Sequence, residues 1–78
     1  MANVKIYSTP VCPYCIMAKK FLDDNGIQYE NIDVSTDKAA VQEMMAKSGQ
    51  LAVPVIDIDG KVIIGFNVPA IKAALGLQ

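Results

Sequence analysis

Two prolines, Pro10 and Pro13, force the backbone to change character within a few residues. Ahead of them, Val4–Ser8 carries the β-branched and aromatic residues of a buried strand around a single lysine. Thr9 and Pro10 end that strand. Pro13 suits the first turn of a helix, where a missing N–H costs nothing. Both cysteines of the chain, Cys12 and Cys15, sit at this strand-to-helix switch. The chain must therefore begin as a βα unit with two thiols at the C-terminal edge of its first strand. Open α/β sheets hold their ligands along that edge.

The remaining pattern extends this unit. A helix is expected over residues 13 to about 25, with Cys15, Ile16, Ala18, Phe21 and Leu22 inward. Lys19, Lys20, Asp23 and Asp24 would cover its outer face, and Asn25-Gly26 would stop it. Residues 27–34 read as a second strand with Tyr29, Ile32 and Val34 as apolar members. Ser35-Thr36-Asp37 offers helix caps. A helix over 38–47 follows, with Ala40, Val41, Met44 and Met45 as its apolar stripe and Ser48-Gly49 as its end. Residues 55–58 and 61–64 flank Asp59-Gly60, a hairpin turn signal. Pro69 opens a last helix over 70–75, closed by Gly76.

The order β-α-β-α-β-β-α predicts an α/β fold. Strands joined by a helix should be parallel and the hairpin strands antiparallel, giving a four-stranded mixed sheet with helices on both faces.

At 78 residues the chain is expected to be one domain, residues 1–78. A 53% hydrophobic composition must stabilise it by packing, because a Cys12–Cys15 disulfide would close only a tiny loop. Seven lysines, eight acids and no arginine give a net charge of −1. No basic stripe is present to neutralise phosphates, so nucleic-acid binding is not expected. No apolar run approaches a membrane span, and because the first residues lead straight into a strand, no secretory leader is expected. Two cysteines in this context point to a reducing cytoplasm, where such a pair is more often catalytic or metal-binding than structural.

The chemistry follows from the spacing. Cys12 falls at the start of a helix, where unpaired N–H groups and the helix dipole favour negative charge. It is the expected thiolate nucleophile of thiol–disulfide exchange. Cys15, one turn inside the helix, should be more buried and should stay a thiol longer. Cys12 would attack a disulfide, and Cys15 would resolve the mixed disulfide by attacking Cys12. C-x-x-C also serves zinc, copper and iron–sulfur sites. A structural zinc needs about four ligands, however, and this chain offers two thiols and no histidine, so no metal is expected. A copper chaperone would need the order β-α-β-β-α-β. Pro54 stands after Val53 at the start of a strand, and the residues alone leave its isomer open, since about 5–6% of X–Pro bonds in folded proteins are cis.

Ile6-Tyr7, Cys12-Pro13-Tyr14-Cys15 before a lysine-containing amphipathic helix, Val53-Pro54 before a strand, and Asp59-Gly60 followed by Ile63 and Gly65 together resemble the glutaredoxin family. The resemblance covers nearly the whole chain, and CPYC is the family's dithiol signature. It implies the thioredoxin fold, glutathione as reductant or cosubstrate, and a cis Val53–Pro54 bond. Cys12 would bond to the glutathione sulfur. Tyr14 would line the groove, and Val53, ahead of Pro54, would pair backbone to backbone with the cysteinyl unit. Lys47 and Gln50 are candidates for the glycine carboxylate. Gly65, with the backbone N–H groups of Phe66 and Asn67, would hold the γ-glutamyl end.

Four residues depart from the family pattern. Thr9 replaces a lysine, Ile64 replaces one glycine of a Gly-Gly pair, and Asn67-Val68 replaces an acidic pair. The expected function is a cytoplasmic, monomeric glutathione-dependent thiol–disulfide oxidoreductase acting on disulfide-containing or glutathionylated proteins. The departures keep two alternatives open: a glutaredoxin-like redoxin reduced by thioredoxin reductase, and an iron–sulfur or metal carrier.

Overall fold

The computed structural model describes residues 3–77. Its elements run β1 (Val4–Ser8), α1 (Pro13–Asp24), β2 (Glu30–Asp33), α2 (Lys38–Ser48), β3 (Val55–Ile58), β4 (Lys61–Ile64) and α3 (Val68–Leu75). The sheet order is β2-β1-β3-β4. β1 and β2 are parallel, with Tyr7 opposite Ile32, and β3 runs antiparallel to both β1 and β4. This is the four-stranded mixed sheet expected from the element order, arranged as in the thioredoxin fold that the resemblance implies.

Strand alternation divides the apolar residues between two faces. Val4, Ile6, Ile56, Ile58 and Ile63 face α1 and α3, where they meet Ala18, Leu22 and Ile71. Tyr7 and Val55 face the other way and meet Ala40 and Met44 of α2. Each full burial of an Ile or Leu side chain contributes about 1.5–3 kcal/mol. A short chain can therefore stand on two small cores sharing one sheet.

Each helix begins at a residue whose side chain takes up one of the unpaired N–H groups. Asp37 accepts from the Ala40 amide at 3.1 Å and Asn67 from the Ala70 amide at 3.3 Å. At α1 the capping residue is Cys12 itself, followed by Pro13. The β3–β4 hairpin turns through Asp59 at φ 52° and Gly60 at φ 90°. Both central residues have positive φ, which suits the twist of the flanking strands. The Asp57 carboxylate accepts from the Gly60 amide at 2.8 Å, which pins the turn to its own strand.

Four expectations need correction. Ile16 is not inward: it is 54% exposed, because the buried stripe of α1 is Cys15, Ala18 and Leu22, and Ile16 lies a rotation away from it. Met45 is 41% exposed, since Ala40 and Met44 alone define the inner line of α2. β2 is shorter than residues 27–34: the Ile27 amide still bonds back to the Leu22 carbonyl, so the chain has not yet left α1 there. α3 starts at Val68 rather than 70, because Asn67 caps it and Pro69 lies inside its first turn.

Candidate active site

The switch between β1 and α1 places the thiols. Cys12 has an extended backbone, φ −99° and ψ 112°, before helical geometry begins at Pro13. Its Sγ accepts the Cys15 amide N–H at 3.2 Å. A sulfur thus fills the role an oxygen fills at most helix starts, and the helix N-terminus is directed at that sulfur. The same Sγ lies 3.9 Å from the Val53 carbonyl oxygen. Cys12 is half-buried and Cys15 has no exposed surface; both are free thiols.

Cys15 is held protonated. Burial is the main cause of its pKa being pushed up to about 11, and a hydrogen bond with Cys12 adds to it. A backbone hydrogen bond from Thr9 and the charge of Lys19 pull the other way. The pair therefore has a division of labour: an accessible sulfur facing helix N–H donors, and a covered sulfur that keeps its proton.

Three segments converge here. The Val53–Pro54 peptide bond is cis, as the resemblance implies, and Pro54 is buried. The Gly65 amide donates to the Pro54 carbonyl at 2.8 Å, tying the loop after β4 to this corner. Gly65 has φ 81°, and the position where a Cβ would stand is open space. Tyr14 stands 62% exposed on the first turn of α1. Phe66 packs its ring edge-on against Phe21, centroids 6.2 Å apart, which anchors the loop. Asn67 spends its side-chain oxygen on capping α3.

The two carboxylate candidates differ in their environment. Gln50 is exposed in the loop after α2. Lys47 is engaged within the protein: its Nζ lies 2.7 Å from Asp57 Oδ2, 2.8 Å from the Tyr7 hydroxyl and 3.2 Å from Glu43 Oε1. Tyr7 in turn donates to Glu43. This network beneath α2 escaped the sequence reading. Its signals were the i, i+4 spacing of Glu43 and Lys47 and the lone acid Asp57 in an apolar strand. The Asp57 carboxyl is drawn below the usual range chiefly by the Lys47 ammonium. Glu43 is also lowered, first by the Tyr7 hydroxyl and then by Lys47. Hydrogen bonding to Asp57 raises Lys47.

Among the described residues no three Cys, Asp or Glu side chains gather as metal ligands, and no helix is long and apolar enough to cross a membrane.

The chain is similar to known proteins over most of its length. It is 45% identical over 64 residues to a glutaredoxin-like 8.6 kDa protein of the rubredoxin operon of Clostridium pasteurianum, covering 82% of this chain and 85% of that one. It is 40% identical over 65 residues to glutaredoxin 3 of Escherichia coli K12, covering 83% and 78%. The crystal structure of a glutaredoxin from Archaeoglobus fulgidus superposes with a TM-score of 0.88 at 28% identity, covering 96% of this chain and 87% of that one. The glutaredoxin family model matches residues 4–63, which include both cysteines, and this chain belongs to the glutaredoxin family.

Proposed function

We propose that this protein is a glutathione-dependent thiol–disulfide oxidoreductase of the cytoplasm, reducing protein disulfides and glutathione mixed disulfides through Cys12 and Cys15. The observation that carries the reading is the Cys12 sulfur, half-buried at the start of α1, accepting the Cys15 amide in front of a fully covered second thiol. Cys12 attacks a substrate disulfide, forming a mixed disulfide and expelling one substrate thiolate. Cys15 then attacks Cys12 Sγ, releasing the second substrate thiolate and leaving the Cys12–Cys15 disulfide. Glutathione returns the enzyme to the dithiol. Its cysteinyl unit lies against the Val53 backbone, with Tyr14 beside it and the γ-glutamyl carboxylate at the Phe66 and Asn67 amides after Gly65. Gln50 is the better-placed partner of the glycine carboxylate, because Lys47 is already committed to Asp57. Family membership supports the choice of glutathione.

A second reading has a specific observation in its favour. Thr9, Ile64 and Asn67-Val68 stand where the family pattern has groups that meet the charged ends of glutathione, and a redoxin fed by thioredoxin reductase needs none of them. A coupled assay decides between the two. Turnover with glutathione and glutathione reductase is expected; turnover with thioredoxin reductase alone would establish the second reading instead.

A further inference from the structure

Lys47 joins three elements at once. It stands one residue from the end of α2. Its Nζ lies 2.7 Å from Asp57 Oδ2 on β3, 2.8 Å from the Tyr7 hydroxyl on β1 and 3.2 Å from Glu43 Oε1 on its own helix. An ammonium has three N–H groups, and three acceptors surround this one. It also lies 5.2 Å from the centre of the Tyr7 ring. The Lys47 side chain is 26% exposed and that of Asp57 13%, so salt screens the pair little.

The two strands joined in this way lead to the reacting corner. The chain runs from Tyr7 on β1 to Cys12, and it passes Val53 and Pro54 before it reaches Asp57 on β3. Residues 48–56 span the distance between Lys47 and Asp57. Ser48 ties the start of that stretch, its Oγ 2.8 Å from the Met44 carbonyl oxygen and 2.9 Å from that of Gln50. The Gly65 amide ties the other side at the Pro54 carbonyl. Among the described residues, Leu51, Ala52 and Val53 make no hydrogen bond between these ties beyond the 3.9 Å approach of the Val53 carbonyl to Cys12 Sγ. A stretch with so few bonds of its own takes its position from its ends.

We infer that Lys47 is a positioning residue: clasped to Asp57 and Tyr7, it sets the end of α2 against β1 and β3 and so holds the Leu51–Val53 backbone beside the Cys12 sulfur. The inference deepens the reading above, in which the Val53 backbone meets the cysteinyl unit of glutathione, and rests on that reading for its substrate. Lys47 then acts through the loop and not on the glycine carboxylate. Opening the clasp lets the loop sample other poses. Only the fraction in the productive pose binds, so affinity weakens in proportion to that fraction. A disulfide too small to reach Val53 is indifferent to the change.

The test uses the intact, pre-reduced protein and compares Lys47→Met, Asp57→Asn and the double variant with the wild type. Asparagine keeps an acceptor for the Gly60 amide, so Asp57→Asn removes the charge and spares the hairpin. Backbone order parameters from NMR read Leu51, Ala52 and Val53 without any substrate. They should fall in both single variants. The double variant should be no looser than the looser of the two, because both substitutions open the same clasp. KM for a glutathionylated peptide should rise about tenfold in each while kcat changes little. Single-turnover reduction of 2-hydroxyethyl disulfide should stay as it is in the wild type. Unchanged order parameters would overturn the inference even if the melting temperature falls, since a merely structural pair costs stability without moving this loop. A KM raised by Lys47→Met and not by Asp57→Asn would overturn it as well, by showing that the ammonium meets glutathione itself. Equal slowing of the small disulfide would place the effect on Cys12 and would also overturn it. Order parameters that fall in the variants, with a wild type that turns over no glutathionylated peptide, would uphold the clasp and overturn the glutathione reading alone.

Discussion

The Cys15 amide N–H points at the Cys12 sulfur from 3.2 Å, so the residue proposed to resolve the mixed disulfide also orients a helix donor onto the residue proposed to form it. The donor is backbone, and therefore survives any change of the Cys15 side chain. Cys15→Ser should keep Cys12 capped and should largely preserve removal of glutathione from glutathionylated protein, while dithiol reduction of protein disulfides falls sharply. Cys12→Ser should abolish both. Activity retained by the Cys12→Ser protein in either assay would sink the assignment of roles.

Cys15 should titrate at about 11. Part of that elevation comes from Cys12, so Cys12→Ser should bring the Cys15 pKa down, while burial keeps it above its ordinary value. Ultraviolet thiolate absorbance against pH reads this directly. The linkage has a definite sign. The folded pKa lies above the unfolded one, so the native state binds more protons between the two values, and stability falls as pH rises through that window toward about 11. Cys15→Ala should flatten this alkaline decline.

Lys47 and Asp57 tie α2 to the central strands across a 2.7 Å contact, with the Asp57 side chain 13% exposed. Asp57→Ala removes this partner and the acceptor of the Gly60 amide together. It should cost about 2 kcal/mol at neutral pH, the scale of hydrogen bonds to charged groups, measured by urea unfolding. Asp57 has a depressed pKa in the folded state, so its contribution is complete above the ordinary carboxylate range and is lost as pH falls through the folded value. The gap between wild type and variant should therefore narrow as pH falls below the ordinary carboxylate range. A constant gap across that range would mean the pair is not what stabilises this corner.

Asn67 is needed by α3, whose first turn has only a few N–H groups to satisfy because Pro69 supplies none. Asn67→Ala should lower stability by about 1 kcal/mol, whereas Asn67→Ser should recover most of it. If both replacements weaken glutathione turnover equally without changing the melting temperature, the side chain serves the ligand rather than the helix.

The hairpin turn is open to a similar check. Gly60 has φ 90°, a conformation that an L-residue with a side chain rarely adopts. Gly60→Ala should destabilise by about 1 kcal/mol or more although no neighbouring atom obstructs the new methyl group. A thermal melt unchanged by the substitution would count against strain at this position.

Residue types and spacing were enough to find every element, though not the start of β2 or of α3, because most boundaries are local events. Pro13 opens α1, Asp37 caps α2, Asp59-Gly60 turns the hairpin, and Gly76 ends α3. The roles expected of Cys12 and Cys15 were local for the same reason: a sulfur at a helix start and another a turn deeper differ in exposure wherever such a helix packs on a sheet. Periodicity was less informative at the margins of a stripe. It turned Ile16 and Met45 inward, yet only packing against β1, β3 and α3 decides how wide a helix face is covered.

Tertiary structure alone decided what surrounds the thiols. Val53 comes within 3.9 Å of Cys12, and Gly65 bonds to Pro54, because β3 lies beside β1 and β4 beside β3. Sheet order is a long-range choice that no local propensity records. The same order draws Lys47 to Asp57 and Tyr7, groups that look like separate surface and core residues along the chain. It also gathers three segments around one sulfur. The sequence by itself thus determined that this protein carries two thiols, a helical turn apart, at a strand-to-helix switch. The packing of the sheet decided what surrounds those thiols, since a surface exists only where distant segments come together.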